Sequence, residues 1–209
     1  MKIVVFGASR GVGYQVVQQA LAAGHTVTAF VRSPEAFSLQ HPNLSIFQGD
    51  ATDAAAVEKA IAGHDAVISA LGPTRPPVPQ MMERAAKNIV AGMKKHGVRR
   101  LVSTTGAGVR QPEDQPKLID HLIGFLLKLV AKDVVLDSAA NVRVLQASGL
   151  DWTIVRYPRL LDGEKKGSYR VGYLGKDSGT QISRADGADF VLKELTEQQW
   201  LHKLPVVSY

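Results

Sequence analysis

The apolar run Ile3-Val4-Val5-Phe6 passes without a break into Gly7-Ala8-Ser9-Arg10-Gly11-Val12-Gly13, and a stretch with helical amphipathic spacing continues to Ala23. A strand, a glycine turn and a helix in immediate succession constrain this chain more than any other feature in it. Gly7 permits the tight turn, while Gly11 and Gly13 remove side chains that would keep backbone and helix away from a ligand. The helix N-terminus adds unpaired N–H donors and a partial positive charge. The arrangement suits a pyrophosphate and predicts that the fold opens with a βαβ unit.

The same alternation continues along the chain. Short apolar runs at Val27 to Val31, Leu44 to Phe47, Ala66 to Ser69, Leu101 to Thr104 and Thr153 to Val155 read as strands buried on both faces, with Val206-Val207 as a last one. Helical stretches fall at Val12 to Ala23, Ala54 to Ala62, Pro79 to His96, Val134 to Ser148 and Arg184 to Leu195. Gly24, Gly63, Gly97 and Gly149 stand where left-handed helix ends are wanted, Ser183 where an N-cap is, and Thr52 or Asp53 before Ala54. The predicted class is α/β: one domain over residues 1–209, with a doubly wound, mostly parallel sheet and helices on both faces. The Pro-rich patch Pro73 to Pro79 and the stretch Gln111 to Pro116 read as loops at the C-terminal ends of strands, the edge where such sheets bind ligands.

Composition narrows the chemistry. A chain of 209 residues, 45% hydrophobic and 21% charged, can bury one sizeable core. It has no cysteine, which excludes disulfides, thiolate nucleophiles and cysteine-held metals, and no metal site is expected. The net charge of +6 admits an anionic partner, but Lys94-Lys95, Arg99-Arg100 and Lys165-Lys166 are scattered without interleaved aromatics, so no nucleic acid is expected. The first apolar run is too short for a signal peptide, and the most hydrophobic segment, Leu118 to Leu136, is broken by charges. A cytoplasmic protein with no membrane contact is the expectation, as a monomer or small homo-oligomer.

The end of the second strand selects among dinucleotides. A free ribose 2'-hydroxyl wants a carboxylate there and a 2'-phosphate a guanidinium. Arg32 stands 19 residues after Gly13, and Arg10 supplies a second fork-shaped donor from the loop itself, which predicts NADPH/NADP; Glu35 is the rival acceptor. Asp50, with Ala51 after it, ends strand three where a carboxylate can accept from an adenine amino group. Ala70-Leu71-Gly72 ends strand four with small residues that would let the backbone pass over a ribose. Strand five ends Ser103-Thr104-Thr105-Gly106, placing hydroxyls beside a nicotinamide. None of the five tyrosines has a lysine four positions on, so the Tyr-Lys acid of many short-chain dehydrogenases is absent.

The segments Lys2 to Ser9, Asp65 to Ile68, Ala86 to Val98 and Gln146 to Leu150 resemble the atypical short-chain dehydrogenase/reductases, most of all the flavin reductase/biliverdin-IXβ reductase type, and NmrA-like proteins more distantly. The resemblance implies a single Rossmann domain that binds NADPH and passes hydride to a flavin, a biliverdin-like or a quinone-like acceptor. It places Gly7, Ala8, Ser9, Arg10, Gly11, Val12, Gly13, Arg32, Asp50, Gly72, Thr104, Thr105, Tyr157 and Pro158 at the cofactor, and the strand ends add Ala51, Ala70 and Leu71 to the expected contacts. There are departures, among them a stretch from Leu118 to Lys132 longer than the family's usual connection. Arg10 replaces a frequent glycine, and a serine near the hydride site falls on Gly106. Solvent or Thr105 is then the proton source.

On the acceptor side, Leu118, Leu122, Phe125, Leu126 and Leu129 share one helical face, which predicts either a lid over residues 115–133 or a core or interface helix. Arg156 and Arg159 flank Tyr157-Pro158, where they would meet an anionic acceptor or simply be solvated. Gly106, Leu122, Phe125, Leu126 and Arg159 are the expected substrate contacts. The alternative to a reductase is an NADP(H)-sensing regulator that turns over nothing.

Overall fold

Strand β1 (Lys2–Phe6) is buried from Ile3 onward because it lies inside an eight-stranded sheet and alternates between two cores. Ile3 and Val5 join the core beneath helices α1 (Gly11–Ala22) and α5 (Arg184–Glu197). Val4 and Phe6 join the opposite core, beneath α2 (Ala54–Ile61), α3 (Met81–His96) and α4 (Lys132–Gln146). An unbroken apolar run with no polar face is what a strand covered on both sides requires. The computed structural model describes residues 1–74, 76–118 and 131–209.

The other strands are β2 (Thr26–Val31), β3 (Leu44–Gln48), β4 (Ala66–Ser69), β5 (Arg100–Gly106), β6 (Asp151–Tyr157), β7 (Arg159–Leu161), β8 (Arg170–Gly172), β9 (Gln181–Ser183) and β10 (Val206–Ser208). The main sheet runs β3-β2-β1-β4-β5-β6-β10-β8 and is parallel except for the last pair, while β7 and β9 form a separate parallel pair. Strand order reverses between β1 and β4, so a crevice opens above their C-terminal ends, and ligands of doubly wound sheets bind at such a switch point. This is the single-domain Rossmann architecture that the resemblance implies. No described helix is long and apolar enough to cross a membrane.

The helix boundaries follow their chemistry. Asp53 caps α2 by accepting from the amides of Ala55 and Ala56, and Ser183 caps α5 by accepting from that of Asp186. Gly24, Gly63, Gly97 and Gly149 all have positive φ, as helix ends that turn left-handed demand. Strands β7, β8 and β9 carry no signal in the sequence, since three residues are too few to show alternation. The Gln111–Pro116 loop, expected at the ligand edge, is tied down elsewhere: Gln115 donates its amide to Leu174, and Asp114 accepts from the amides of Gln111 and Leu174. The expected lid helix lies, apart from its ends, outside the described residues.

Candidate cofactor site

The turn after β1 is fixed by the backbone of its neighbour. Gly7 has φ +79°, Ala70 donates its amide to the Phe6 carbonyl at 2.9 Å, and a Cβ on Gly7 would come within 2.5 Å of the Ala70 carbonyl oxygen. A Cβ on Gly13 would meet the Gly7 carbonyl oxygen at 2.2 Å. Gly7 and Gly13 therefore let turn, helix and β4 close on one another. Gly11, at φ +61°, meets only the side chain of Arg184. The first and last glycines are packing devices, and the middle one leaves the N-terminus of α1 open.

Above this turn lies a cavity of about 1100 Å³. Ligand pockets commonly run to about 300–1,000 Å³, so the space suits a large ligand or two smaller ones. Gly7, Ser9, Arg10, Gly11 and Val12 line its floor; Arg32, Asp50 and Ala51 line one end; and Ala70, Leu71 and Gly72 line the middle. Thr104, Thr105, Gly106, Tyr157 and Pro158 line the far side. Ala8 and Gly13 are not on its wall, for Ala8 is wholly buried in the core and Gly13 is pressed on Gly7.

At the β2 end, Arg10 and Arg32 are exposed, and neither guanidinium has a hydrogen bond or ion pair among the described residues. Glu35, in the single helical turn Pro34–Ala36, does not reach the wall. Asp50 Oδ1 accepts from both the amide and the hydroxyl of Thr52 at 2.7 Å. Those bonds, the hydroxyl's first, hold the Asp50 carboxyl below its usual range, with Arg32 and Arg84 adding attraction, so it is an ionised acceptor.

Near the sheet's switch point, Thr105 is 8% exposed and its Oγ1 has no hydrogen-bond partner among the described residues. An unpaired buried hydroxyl is costly unless something else satisfies it. Tyr157 is buried and donates its phenol to the Gly187 carbonyl at 2.8 Å, and burial raises its pKa far above the ordinary value. The ring is wall rather than acid.

Two expectations are corrected. Arg156 is neither a ligand contact nor solvated. Its side chain is wholly buried, paired in two-pronged fashion with Asp114 at 2.7 Å for both bonds, and it donates further to the carbonyls of Leu204 and Val109. Burial alone would raise the Asp114 pKa, but Arg156 and the Gln111 and Leu174 amides pull it below the usual value. A charge inside the sheet's flank has to be paired in this way. Arg159 is exposed on β7 and absent from the wall, because its neighbour Leu160 faces the cavity and strand alternation turns Arg159 away. Leu122, Phe125 and Leu126 lie outside the described residues.

The Pro-rich patch expected at the ligand edge does line the cavity, through Pro73, Thr74 and Val78, whereas sequence reasoning missed Met81, Met82, Ser138, Arg84 and Arg184. The two methionines begin α3 directly after the Pro-rich loop, a signal of sorts. For Ser138 and Arg184 there is none, because only the sheet's winding brings them here. Asp137, beside Ser138, caps α3 from another helix: its Oδ2 accepts from the Met82 amide and its Oδ1 from the Glu83 amide, each at 3.0 Å.

The parts fit a dinucleotide. Amide donors stand at a helix N-terminus beside glycines, guanidiniums and a carboxylate lie toward the β2 end, and Thr104 and Thr105 line the other side. Fold and site define a dinucleotide-binding α/β protein. Residues 7–198 match the model of the NAD(P)H-binding family, and the chain belongs to that family. It is similar to the Bacillus subtilis (strain 168) protein YwnB, 27% identical over 93% of this chain and 92% of that one. Two solved structures share its fold. A wide-type short-chain dehydrogenase/reductase from Veillonella parvula in complex with NADP has TM-score 0.81 at 18% identity, over 100% and 94% of the two chains. ChuY, an anaerobillin reductase from Escherichia coli O157:H7, has TM-score 0.78 at 22% identity, over 100% and 97%.

Proposed function

We propose that the protein is an NADPH-dependent reductase whose acceptor is a flat conjugated molecule of flavin, biliverdin-like or quinone-like type. The observation that carries this reading is a single cavity that runs from the phosphate loop to Thr105 and Gly106 and is also lined by the apolar side chains of Val78, Met81, Met82 and Leu160. When bound, the coenzyme supplies hydride. The chain's own part is to bind, orient and exclude water.

In this reading the amides at Gly11 and Val12 hold the diphosphate, and Arg10 and Arg32 hold the 2'-phosphate, which favours NADPH over NADH. Asp50 accepts from the adenine amino group through Oδ2, Oδ1 being engaged by Thr52. Gly72 and Thr104 leave room for the ribose and ring. Thr105 stands at the reacting end, and Gly106 opens the acceptor space, since a Cβ there would meet nothing within 4 Å. Methionines suit the opposite wall because thioether side chains adapt to flat ligands of varied outline. With Tyr157 locked to Gly187, the proton comes from solvent or through Thr105. The similarity in fold to an anaerobillin reductase accords with such an acceptor.

Steady-state oxidation of NADPH with FMN, FAD, biliverdin and a quinone panel tests the reading, and turnover with at least one acceptor is the expected result. Coenzyme binding with no oxidation across the panel would replace it with the sensing regulator. Thr105→Val should lower turnover by about tenfold or less, as loss of one assisting hydroxyl would. Complete inactivation would contradict a solvent-supplied proton.

A further inference from the structure

Arg184 is the first residue of α5, and α5 packs beside α1, the helix that begins at Gly11. Its side chain lies over the phosphate loop: a Cβ built on Gly11 would find Arg184 Nε at 3.7 Å and Cδ at 3.9 Å, and no other atom closer. Its Nη1 is 2.6 Å from Asp162 Oδ1, and no other ion pair of Arg184 exists among the described residues. Asp162 follows β7 as Arg184 follows β9, so the pair continues the ladder past Leu161 and Ser183 by one step. Both residues line the cavity, together with Leu160 and Gly163.

The two partners are unequally committed. Asp162 is 95% exposed and Arg184 31%, and an ion pair so hydrated contributes little. A phosphate oxygen arriving on the loop amides offers the same guanidinium a charge-assisted, two-pronged bond in a less hydrated place. Meanwhile the Asp162 carboxylate sets a negative charge at the mouth of a site built for anions.

We propose that Arg184 is a ligand of the coenzyme's diphosphate and that Asp162 is the carboxylate it is exchanged from, an internal anion that competes with the coenzyme for one guanidinium. This rests on the reading that the glycine loop holds the diphosphate. It adds a third cation with a separate role, because Arg10 and Arg32 tell NADPH from NADH, whereas Arg184 acts on the part the two share.

The test is titration of wild type, Arg184→Gln, Arg184→Lys and Asp162→Asn with NADPH, NADH and ADP-ribose, following coenzyme fluorescence or heat. Arg184→Gln should weaken all three ligands by about tenfold or more, the scale of one lost hydrogen bond to a charged group. Its affinity should also depend less steeply on salt. Arg184→Lys should fall between it and wild type. Asp162→Asn should tighten all three by about two- to fivefold, the scale of an exposed ion pair removed. The ratio of NADPH to NADH affinity should stay constant throughout. Ser183, not Arg184, caps α5, and Asp162 is exposed, so all three variants keep the helix cap and the core. Unchanged affinity in Arg184→Gln, a change for NADPH alone, or weaker binding in Asp162→Asn would overturn the inference and leave the function standing. A wild-type protein that bound none of the ligands would overturn both.

Discussion

At the scale of single residues, charge acts here through what each group can still bind. Arg10 and Arg32 have all their donors available at the cavity's β2 end, whereas Arg156 has spent its own on Asp114 and on the Leu204 and Val109 carbonyls. Arg32→Ala should therefore cut kcat/KM for NADPH by about tenfold or more, the value of a charge-assisted contact, and leave NADH nearly untouched. An unchanged NADPH/NADH ratio of kcat/KM would mean that Arg32 does not read the 2'-phosphate. In sequence the two arginines at 156 and 159 look equivalent. What separates them is invisible there: the carboxylate that claims Arg156 stands at position 114, and the alternation that turns Arg159 outward belongs to a strand of three residues.

At the scale of elements, the cavity wall that carries Met81 and Met82 depends on one helix beginning in the right place. The residue before α3, Gln80, has φ +56° and makes no side-chain cap, so Asp137 of α4 does the capping across the helix interface. Asp137→Ala should destabilise the protein by about 1 kcal/mol, as loss of a helix cap does. That lowers Tm by about 2–4 °C for a chain of this size. Since Met81 and Met82 begin this helix, KM for the acceptor should rise while coenzyme affinity stays within about twofold, on the premise that distant sites act independently. A thermal melt and two titrations check both parts. The elements themselves are legible where periodicity is long enough to read. β1, the loop and α1 emerge from residues 2 to 23, and Asp53 and Ser183 mark helix starts through ordinary cap chemistry. The cross-helix cap is not, because a carboxylate in mid-helix ordinarily reads as solvated surface.

At the scale of the whole molecule, the polypeptide after β6 is fastened by buried carboxylates. Asp186 accepts from Ser183, Tyr209 and the amides of Lys166 and Gly167. Asp189 accepts from Tyr169 and pairs with Lys165 and Lys193 at 2.8 Å. Burial opposes ionisation of Asp189, but these partners outweigh it and bring its pKa from 3.8 down to about 2. A depressed carboxylate adds stability above its unfolded pKa and surrenders it as protons bind the folded form. Stability should thus fall between pH 3.8 and about 2. Asp189→Asn should be less stable at neutral pH and show a shallower fall across that window, measured by urea unfolding at stepped pH. Equal slopes in the two proteins would remove Asp189 from the acid response. The fold class is readable from the alternation of short and long runs, and the phosphate loop from seven residues. The cover over that loop is not, since Arg184 reaches Gly11 only after the chain has wound through the entire sheet.

The crowding around Gly7 has a kinetic meaning. A methyl group at that position has no room against the Ala70 carbonyl, and one at Gly13 has none against Gly7. On the proposed reading, the mould for the diphosphate is thus set at both ends by main chain pressed on main chain. On that reading, capture would then wait on diffusion, ionic strength and the swing of side chains.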